Sequence, residues 1–397
     1  MTTCATETAT ETVRRAGFTT SADGSYAACL TAIGDDDSWY PERWTLDGPE
    51  PYTVPLPGNQ PEDPGSQLVP LTDGRVLIRR RVADRHDFAL LYPTGPGTGE
   101  LPLGSLRGED VRLLPPPGTG DGVLALAYDG TATAVWLVHS TSSGAGGGSG
   151  GEWPCKLAEI PGHCYGGAWL DRAGRMLALD REAESGGPVK TVAVDLRRGG
   201  EISPLLQITE DSDDRLLLAE PDSGLLVVRS NAPGEDRLGW GVLGNRDPVR
   251  FPEALRLPDS FLTPFAAQPG QIITPEACGI ALTAEGPHGT SLAIWRPGQR
   301  QALWLTSPQG WLPGAGLWTV DGVLRLPYAC AHCPCGIVAY DAPAAGPEPE
   351  PLPALPDEPQ PSAVLPLQKA PLAAAGPVPA GSRTPIRSRG GTVGLVP

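Results

Sequence analysis

One pattern recurs seven times in this chain: a turn ending in glycine, followed at once by an apolar strand. It reads DGSYAACL at Asp23-Gly24, DGRVLIRR at Asp73-Gly74, DGVLALAY at Asp121-Gly122 and AGRMLALD at Ala173-Gly174. It returns as SGLLVVRS at Ser223-Gly224, CGIALTAE at Cys278-Gly279 and DGVLRLPY at Asp321-Gly322. The glycine-to-glycine gaps are 50, 48, 52, 50, 55 and 43 residues. A near-constant spacing implies one supersecondary unit copied along the chain, each copy burying its face against the next.

Asp-Gly between apolar runs is a hairpin signal, because the turn needs a positive φ that glycine adopts without steric cost. A short strand precedes each turn, as in QLVPL, GGAWL and GLWTV. A third strand follows: RWTL, FALLY, AVWLV, KTVAVDL, GWGVL, LAIW and GIVAY. Six units add a fourth: YTVPL, ELPLG, KLAEI, EISPLL, PVRF and ALWL. No segment carries a sustained helical period with caps at both ends. Four strands per unit of about 50 residues predict an all-β, seven-bladed β-propeller of four-stranded blades. The high glycine and proline content, 51 and 46 residues, suits many short strands joined by turns.

Over about residues 8–341 the chain resembles the seven-bladed propeller superfamily, in particular its tryptophan-aspartate-repeat and YVTN-type members. Gly162-His163 in GHCYGGAWLD matches the dipeptide that opens a tryptophan-aspartate repeat, but no unit ends its third strand in Trp-Asp. Trp44, Trp136 and Trp295 fall in third strands as packing residues. The resemblance implies architecture, and no catalytic residue carries over from it. The seventh unit lacks a fourth strand of its own. TETVRRAG around Val13 is expected to supply it and so remove an exposed sheet edge; the rival is VLPL near Val364.

The formal charge of −16 argues against nucleic acid as a partner, since phosphate binding rests on Lys and Arg, and against an anionic membrane surface. The first residues, MTTCATETATETVRRAG, hold no apolar run of signal-peptide length, and no stretch approaches the ~20 apolar residues of a spanning helix. The expected location is the cytoplasm, with reduced thiols. Residues 140–152, STSSGAGGGSGGE, read as a flexible insertion. Residues 342–397, rich in Pro, Ala and Gly and free of aromatics, read as a disordered tail. Within that tail Val364, Leu365, Leu367 and Leu372 form a candidate docking motif for a protein partner.

Chemistry has few candidates. Cys330, His332, Cys333 and Cys335 crowd six positions, with zinc as the cofactor they would take. A redox reading needs an activated thiolate and no helix follows, so the preferred reading is a compact hairpin loop. His163 and Cys164 lie on the same face but three blades away, too far to share an ion. Asp35, Asp36 and Asp37 beside Trp39 and Tyr40, and Glu210, Asp211, Asp213 and Asp214, make that loop-rich face acidic. Such runs are expected to be solvated turns; as a contact surface the first would suit a basic protein partner. His86, His288 and His332 lie on the same face as candidate general bases, while His139 ends a third strand. Taken together, the sequence predicts a non-catalytic propeller that binds a protein partner through its loop-rich face, with a small molecule in the channel as a further ligand. The alternatives are a propeller hydrolase or lactonase with its site at the channel mouth, and a metal or redox sensor built on Cys330–Cys335.

Overall fold

A computed structural model describes residues 13–35, 37–118, 122–140, 153–270 and 273–341. Each repeat folds into one antiparallel set of strands, and those of blades 4 and 5 join in a single seven-stranded sheet. Blade 1 holds β1 (Val13–Thr20), β2 (Tyr26–Ile33), β3 (Tyr40–Thr45) and β4 (Tyr52–Pro55). Blade 2 holds β5 (Gln67–Pro70), β6 (Val76–Val82), β7 (Arg85–Pro93) and β8 (Thr98–Arg107). Blade 3 holds β9 (Asp110–Leu114), β10 (Val123–Tyr128), β11 (Ala132–His139) and β12 (Cys155–Pro161). Blade 4 holds β13 (His163–Trp169), β14 (Met176–Glu182), β15 (Val189–Asp195) and β16 (Glu201–Leu206). Blade 5 follows with β17 (Asp214–Glu220), β18 (Leu225–Ser230) and β19 (Arg237–Val242). Blade 6 holds β20 (Phe261–Ala267), β21 (Ile280–Gly286), β22 (Gly289–Trp295) and β23 (Leu303–Leu305). Blade 7 holds β24 (Leu317–Trp318), β25 (Val323–Cys330) and β26 (Cys333–Asp341). Successive inner strands touch, and β26 returns to β4, so the blades close a ring.

At Gly24, Gly74, Gly174, Gly224 and Gly322 the repeat is a turn with a left-handed glycine; Gly122 and Gly279 lack the positive φ. In blade 2 the Gly74 N–H donates to Leu71 O at 3.0 Å, the Leu71 N–H donates to Arg75 O at 2.8 Å, and Gly74 sits at φ 82°. This is a four-residue turn closed by a left-handed glycine rather than the two-residue hairpin that Asp-Gly alone suggests. The Asp fixes the turn: Asp73 accepts from the Arg75 N–H at 3.0 Å. Gly24 has a second duty. At φ 74°, a Cβ there would stand 2.3 Å from Leu317 of blade 7.

Between blades lie the apolar faces of the strands. Trp44 and Trp295 are fully buried third-strand residues, as the sequence implied, and Trp136 packs against the blade 2–3 cluster. Two expectations need correction. Val13, expected to close the last blade, lies in β1 and pairs with Ile33 of β2, because residues 13–20 run antiparallel to β2 as the inner strand of blade 1. In blade 5 the expected strand at 248–251 shrinks to one bridge, Trp240 with Arg250, between Pro248 and Pro252, which cannot donate to a ladder. Among the described residues blade 7 has three strands. The expected tail, with Val364, Leu365, Leu367 and Leu372, and all but Ser140 of the Gly/Ser insertion, lie outside the described residues.

Two junctions are built differently. Blades 4 and 5 share a backbone bridge, Lys190 with Asp214. There the fully buried Asp214 accepts from Lys190 Nζ at 2.8 Å, Ser230 Oγ at 2.6 Å and the Ile208 N–H at 2.9 Å. Asp180 accepts from Thr191 Oγ1 at 2.7 Å and the Leu216 N–H at 3.0 Å. Blades 7 and 1 meet through side chains. Arg15 pairs with Glu42 at 3.3 Å, donates to Pro334 O at 3.1 Å and lies over the Trp44 ring. Arg325 donates to Leu46 O at 3.2 Å, and Phe18 stands edge-on to Trp44. Cys29 and Cys335 fill the cluster between them.

Candidate functional site

The inner strands surround an axis with two unlike ends. At the end carrying the glycine turns they leave a cavity of about 610 Å³, lined from blades 1, 3, 4, 5, 6 and 7. This volume falls in the range of pockets that hold small ligands, roughly 300–1,000 Å³. Leu218, Phe265, Leu317, Trp318 and the exposed Val320 supply apolar wall. The polar groups differ in how far they are committed. Glu220 caps its own turn, accepting from the Ser223 N–H at 2.6 Å and Ser223 Oγ at 2.7 Å. Arg172 makes a two-point pair with Asp222, its Nε 2.6 Å from Oδ1 and its Nη2 on Oδ2, and this raises the guanidinium pKa. Burial would raise the Asp23 pKa, but hydrogen bonds from Ser21 Oγ at 2.6 Å and from Ser25 outweigh it and hold the carboxyl below its usual range. Arg325 reaches the same cavity, and its side chain donates to Leu46 O at 3.2 Å.

At the loop-rich end, first residues of inner strands meet. His163 Nε2 and the Arg112 guanidinium each lie 3.4 Å from Asp110 Oδ2. The imidazole stacks on Tyr128, with ring centroids 4.2 Å apart, and stands edge-on to Tyr165. Arg215 covers the other side of Tyr165, and burial raises that phenol's pKa. The adjacent Cys164 is buried, which pushes its thiol up to about 11. Of the other histidines, His86 is 4% exposed and takes a 3.0 Å contact from Arg79; burial first, then Arg79, lowers its pKa. A buried ring held this way is poorly placed as a general base. His288 and His332 sit exposed in two-residue turns, and His139 is buried.

The cysteine-rich stretch is a hairpin. Cys330 and Cys333 face each other across a turn made of Ala331 and His332. Cys333 Sγ approaches Tyr328 Oη at 3.6 Å and Cys335 O at 3.2 Å. Cys335 is turned into the blade 7–1 cluster, where burial pushes its thiol up to about 12. A zinc ligand must be a thiolate, so that setting suits packing rather than coordination. Among the described residues no three His, Cys, Asp or Glu side chains group as a metal would require.

The acidic runs divide. Asp35 and Asp37 are exposed, with Asp37 paired to Arg14 at 3.3 Å; Asp36 lies outside the described residues. Tyr40 is half-buried at the start of β3. Trp39, expected beside them as an exposed aromatic, is a core residue under Arg14, because its backbone bridges to Glu62 and turns the ring inward. In the second run Glu210 and Asp211 are exposed, but Asp213 binds the Val189 N–H at 2.8 Å and Asp214 is the buried centre of the blade 4–5 junction. The solvated-turn expectation therefore fails for that half. The cavity wall went unseen in the sequence, since Phe265 and Trp318 share the apolar pattern of residues that pack between blades. No helix among the described residues is long and apolar enough to cross a membrane.

No family model and no curated protein matches the chain. Solved structures do. The β-propeller domain of the Trilobed protease from Pyrococcus furiosus, described as having an open velcro topology, aligns with a TM-score of 0.53 at 10% identity, over 83% of this chain and 93% of that one. Prolyl oligopeptidase B from Galerina marginata, bound to a 35mer hydrolysis and macrocyclization substrate, gives 0.52 at 14% identity over 83% of this chain and 48% of that one. A prolyl endopeptidase gives 0.50 at 13% identity over 83% and 47%. The chain thus spans about half the length of these two peptidases. At such identities the likeness establishes the fold, a β-propeller.

Proposed function

We propose that the protein is a binding propeller that receives part of a partner in its axial cavity on the glycine-turn side. The cavity carries this reading: six blades contribute to one concave site of about 610 Å³ with an apolar wall and a few polar groups. Arg172, Glu220 and Asp23 are engaged by neighbours of this chain, which suits a shaped receptor more than a reaction centre. The partner is a protein, and the exposed Asp35 and Asp37 on the opposite face are a second contact for a basic surface. The test is affinity capture from the native cell extract on wild type and on Ala219→Trp, which places a large ring in the cavity wall. A partner retained by the wild type and lost from a variant with an unchanged melting curve supports the reading. Equal retention by both moves recognition off the cavity.

A second reading has one observation in its favour, the likeness to propeller domains of peptidases. On this reading the chain is the propeller part of a hydrolase, and His163 with Asp110 at the loop-rich end is its titratable pair. Incubation with proline-containing chromogenic peptides tests it. Turnover abolished by His163→Gln would support it, and no turnover by wild type would end it for this chain alone.

A further inference from the structure

We infer that the axial cavity selects a ligand carrying a carboxylate on an apolar body, and that Arg325 is the residue that recognises it; this rests on the cavity reading above. The chain holds 46 acidic against 30 basic residues. A guanidinium in the wall therefore has many potential partners, and Arg172, in the same wall, has taken Asp222. Arg325 has not. Among the described residues no carboxylate lies within 4.0 Å of it, and its one hydrogen bond runs to the carbonyl of Leu46. A guanidinium carries five donors in a planar fork suited to a two-point carboxylate contact, so most of its donor capacity remains.

Arg325 stands at the border of the cavity. Arg325 stands on β25 opposite Leu317 of β24 and lines both the cavity and the narrow cleft between blades 7 and 1. Its bond to Leu46 O holds one end of the guanidinium in place, which lowers the entropy lost when a ligand binds. The two wall carboxylates offer it little competition, because Asp23 is turned onto Ser21 and Ser25 and Glu220 onto Ser223. Next to the cation, Leu317, Phe265 and Trp318 provide the apolar surface. A carboxylate would meet the guanidinium in a recess partly shielded from water, where a charge-assisted pair is stronger than in the open. The same chemistry could come from the C-terminal end of a peptide with an apolar last residue or from an aliphatic acid.

Fluorescence anisotropy with the full chain decides this. The probes are a fluorescein-labelled Ala-Leu-Phe peptide with a free carboxyl end, the same peptide amidated, and decanoate as a competitor. The free acid should bind at least about tenfold more tightly than the amide, and Arg325→Gln, which keeps a donor for Leu46 O, should remove that difference. Arg325→Lys should restore part of it, since the charge returns without the fork. Competition by decanoate assigns the site to carboxylates in general, and its failure assigns it to peptide ends. Equal binding of acid and amide, or a preference that survives Arg325→Gln, overturns the inference while leaving the cavity reading intact. Binding unaffected by Ala219→Trp overturns the cavity reading itself. No binding by any probe up to millimolar concentration overturns the carboxylate inference.

Discussion

The junction between blades 4 and 5 and the seam between blades 7 and 1 do the same job with different chemistry. The first buries a charged network, Lys190, Asp214, Ser212 and Ser230, and adds a backbone bridge. The second relies on Trp44, Phe18, Cys29 and Cys335, with Arg15 and Arg325 reaching across to carbonyls. Blades 4 and 5 are neighbours in sequence; blades 7 and 1 meet at opposite ends of the described chain. The contrast teaches that a ring can be locked where the chain is continuous by directional bonds, and closed where it is not by shape and burial. Breaking a buried ion pair strands a charge, whereas emptying an apolar seam leaves a void.

The largest effects should come from the centre of each. Asp214→Ala takes the carboxylate from Lys190 and from two hydroxyls and should cost about 3–5 kcal/mol in urea unfolding at neutral pH. Trp44→Ala should cost a similar amount, about 3–5 kcal/mol, through the cavity it leaves. Acid separates the two. Burial alone would raise the Asp214 pKa, but bonds from Lys190, Ser230, Ile208 and Ser212 outweigh it and hold it below 3.8. A group depressed in the folded state stabilises above its unfolded pKa and loses that contribution as pH falls through the folded value. The Asp214→Ala cost should therefore shrink below about pH 3.8. The Trp44→Ala cost should not, and equal acid dependence in both variants would erase the contrast.

Asp180 should behave with the opposite sign. Burial raises its pKa, so the wild type loses stability as pH rises from 3.8 through the folded value. Asp180→Asn keeps an acceptor for Thr191 and Leu216, so thermal melts should show equal or greater stability at pH 7 and none of that loss. A destabilised variant at pH 7 would contradict the assignment.

Smaller effects sharpen the seam. Arg15→Ala removes the Glu42 pair and the bond to Pro334 O, and should cost about 1.5–3 kcal/mol. Hydrogen exchange should rise in residues 13–20 and 333–341 and stay unchanged across 189–230; a uniform rise would mean that the junctions are not separable. Iodoacetamide tests the thiols without destabilising anything. Burial pushes the Cys29 and Cys335 thiols up to about 12, so at pH 8 almost none of either is thiolate. Cys330 and Cys333 should label in the native protein and those two only in urea, as mass spectrometry would show. Smallest of all, Arg14→Ala breaks an exposed pair with Asp37 and uncovers the Trp39 ring, and should cost about 1 kcal/mol.

The sequence made the ring legible because glycine turns and strand alternation are local signals. Gly74 declares itself by its backbone, and the strands after each turn declare themselves by apolar runs. Trp44 and Trp295 could be placed between blades on the same grounds. Residues whose role depends on a neighbouring blade could not be read. Asp214 looked like one more acid in a solvated run until Lys190 and Ser230 closed over it. Trp39 looked like a surface aromatic until its bridge to Glu62 turned it inward. Val13 was assigned to the wrong blade because a strand does not announce which edge it will join. The cavity wall was hidden for a related reason: Phe265 and Trp318 pack between blades 6 and 7 and also border the cavity, and nothing in a period-two pattern marks which of the packed residues reach it.

Each blade of this ring is drawn, among the described residues, from one uninterrupted stretch of chain. Seven-fold construction is then arithmetic written along the gene. Away from the bridged junction of blades 4 and 5, an in-frame duplication of one stretch of about 50 residues would insert a whole sheet without severing any ladder, and a deletion would remove one as cleanly. Where a strand is borrowed from the far terminus, every such change must leave the borrowed piece in place. Here the number of blades, and with it the width of the axial cavity, is free to be inherited as a single editable count.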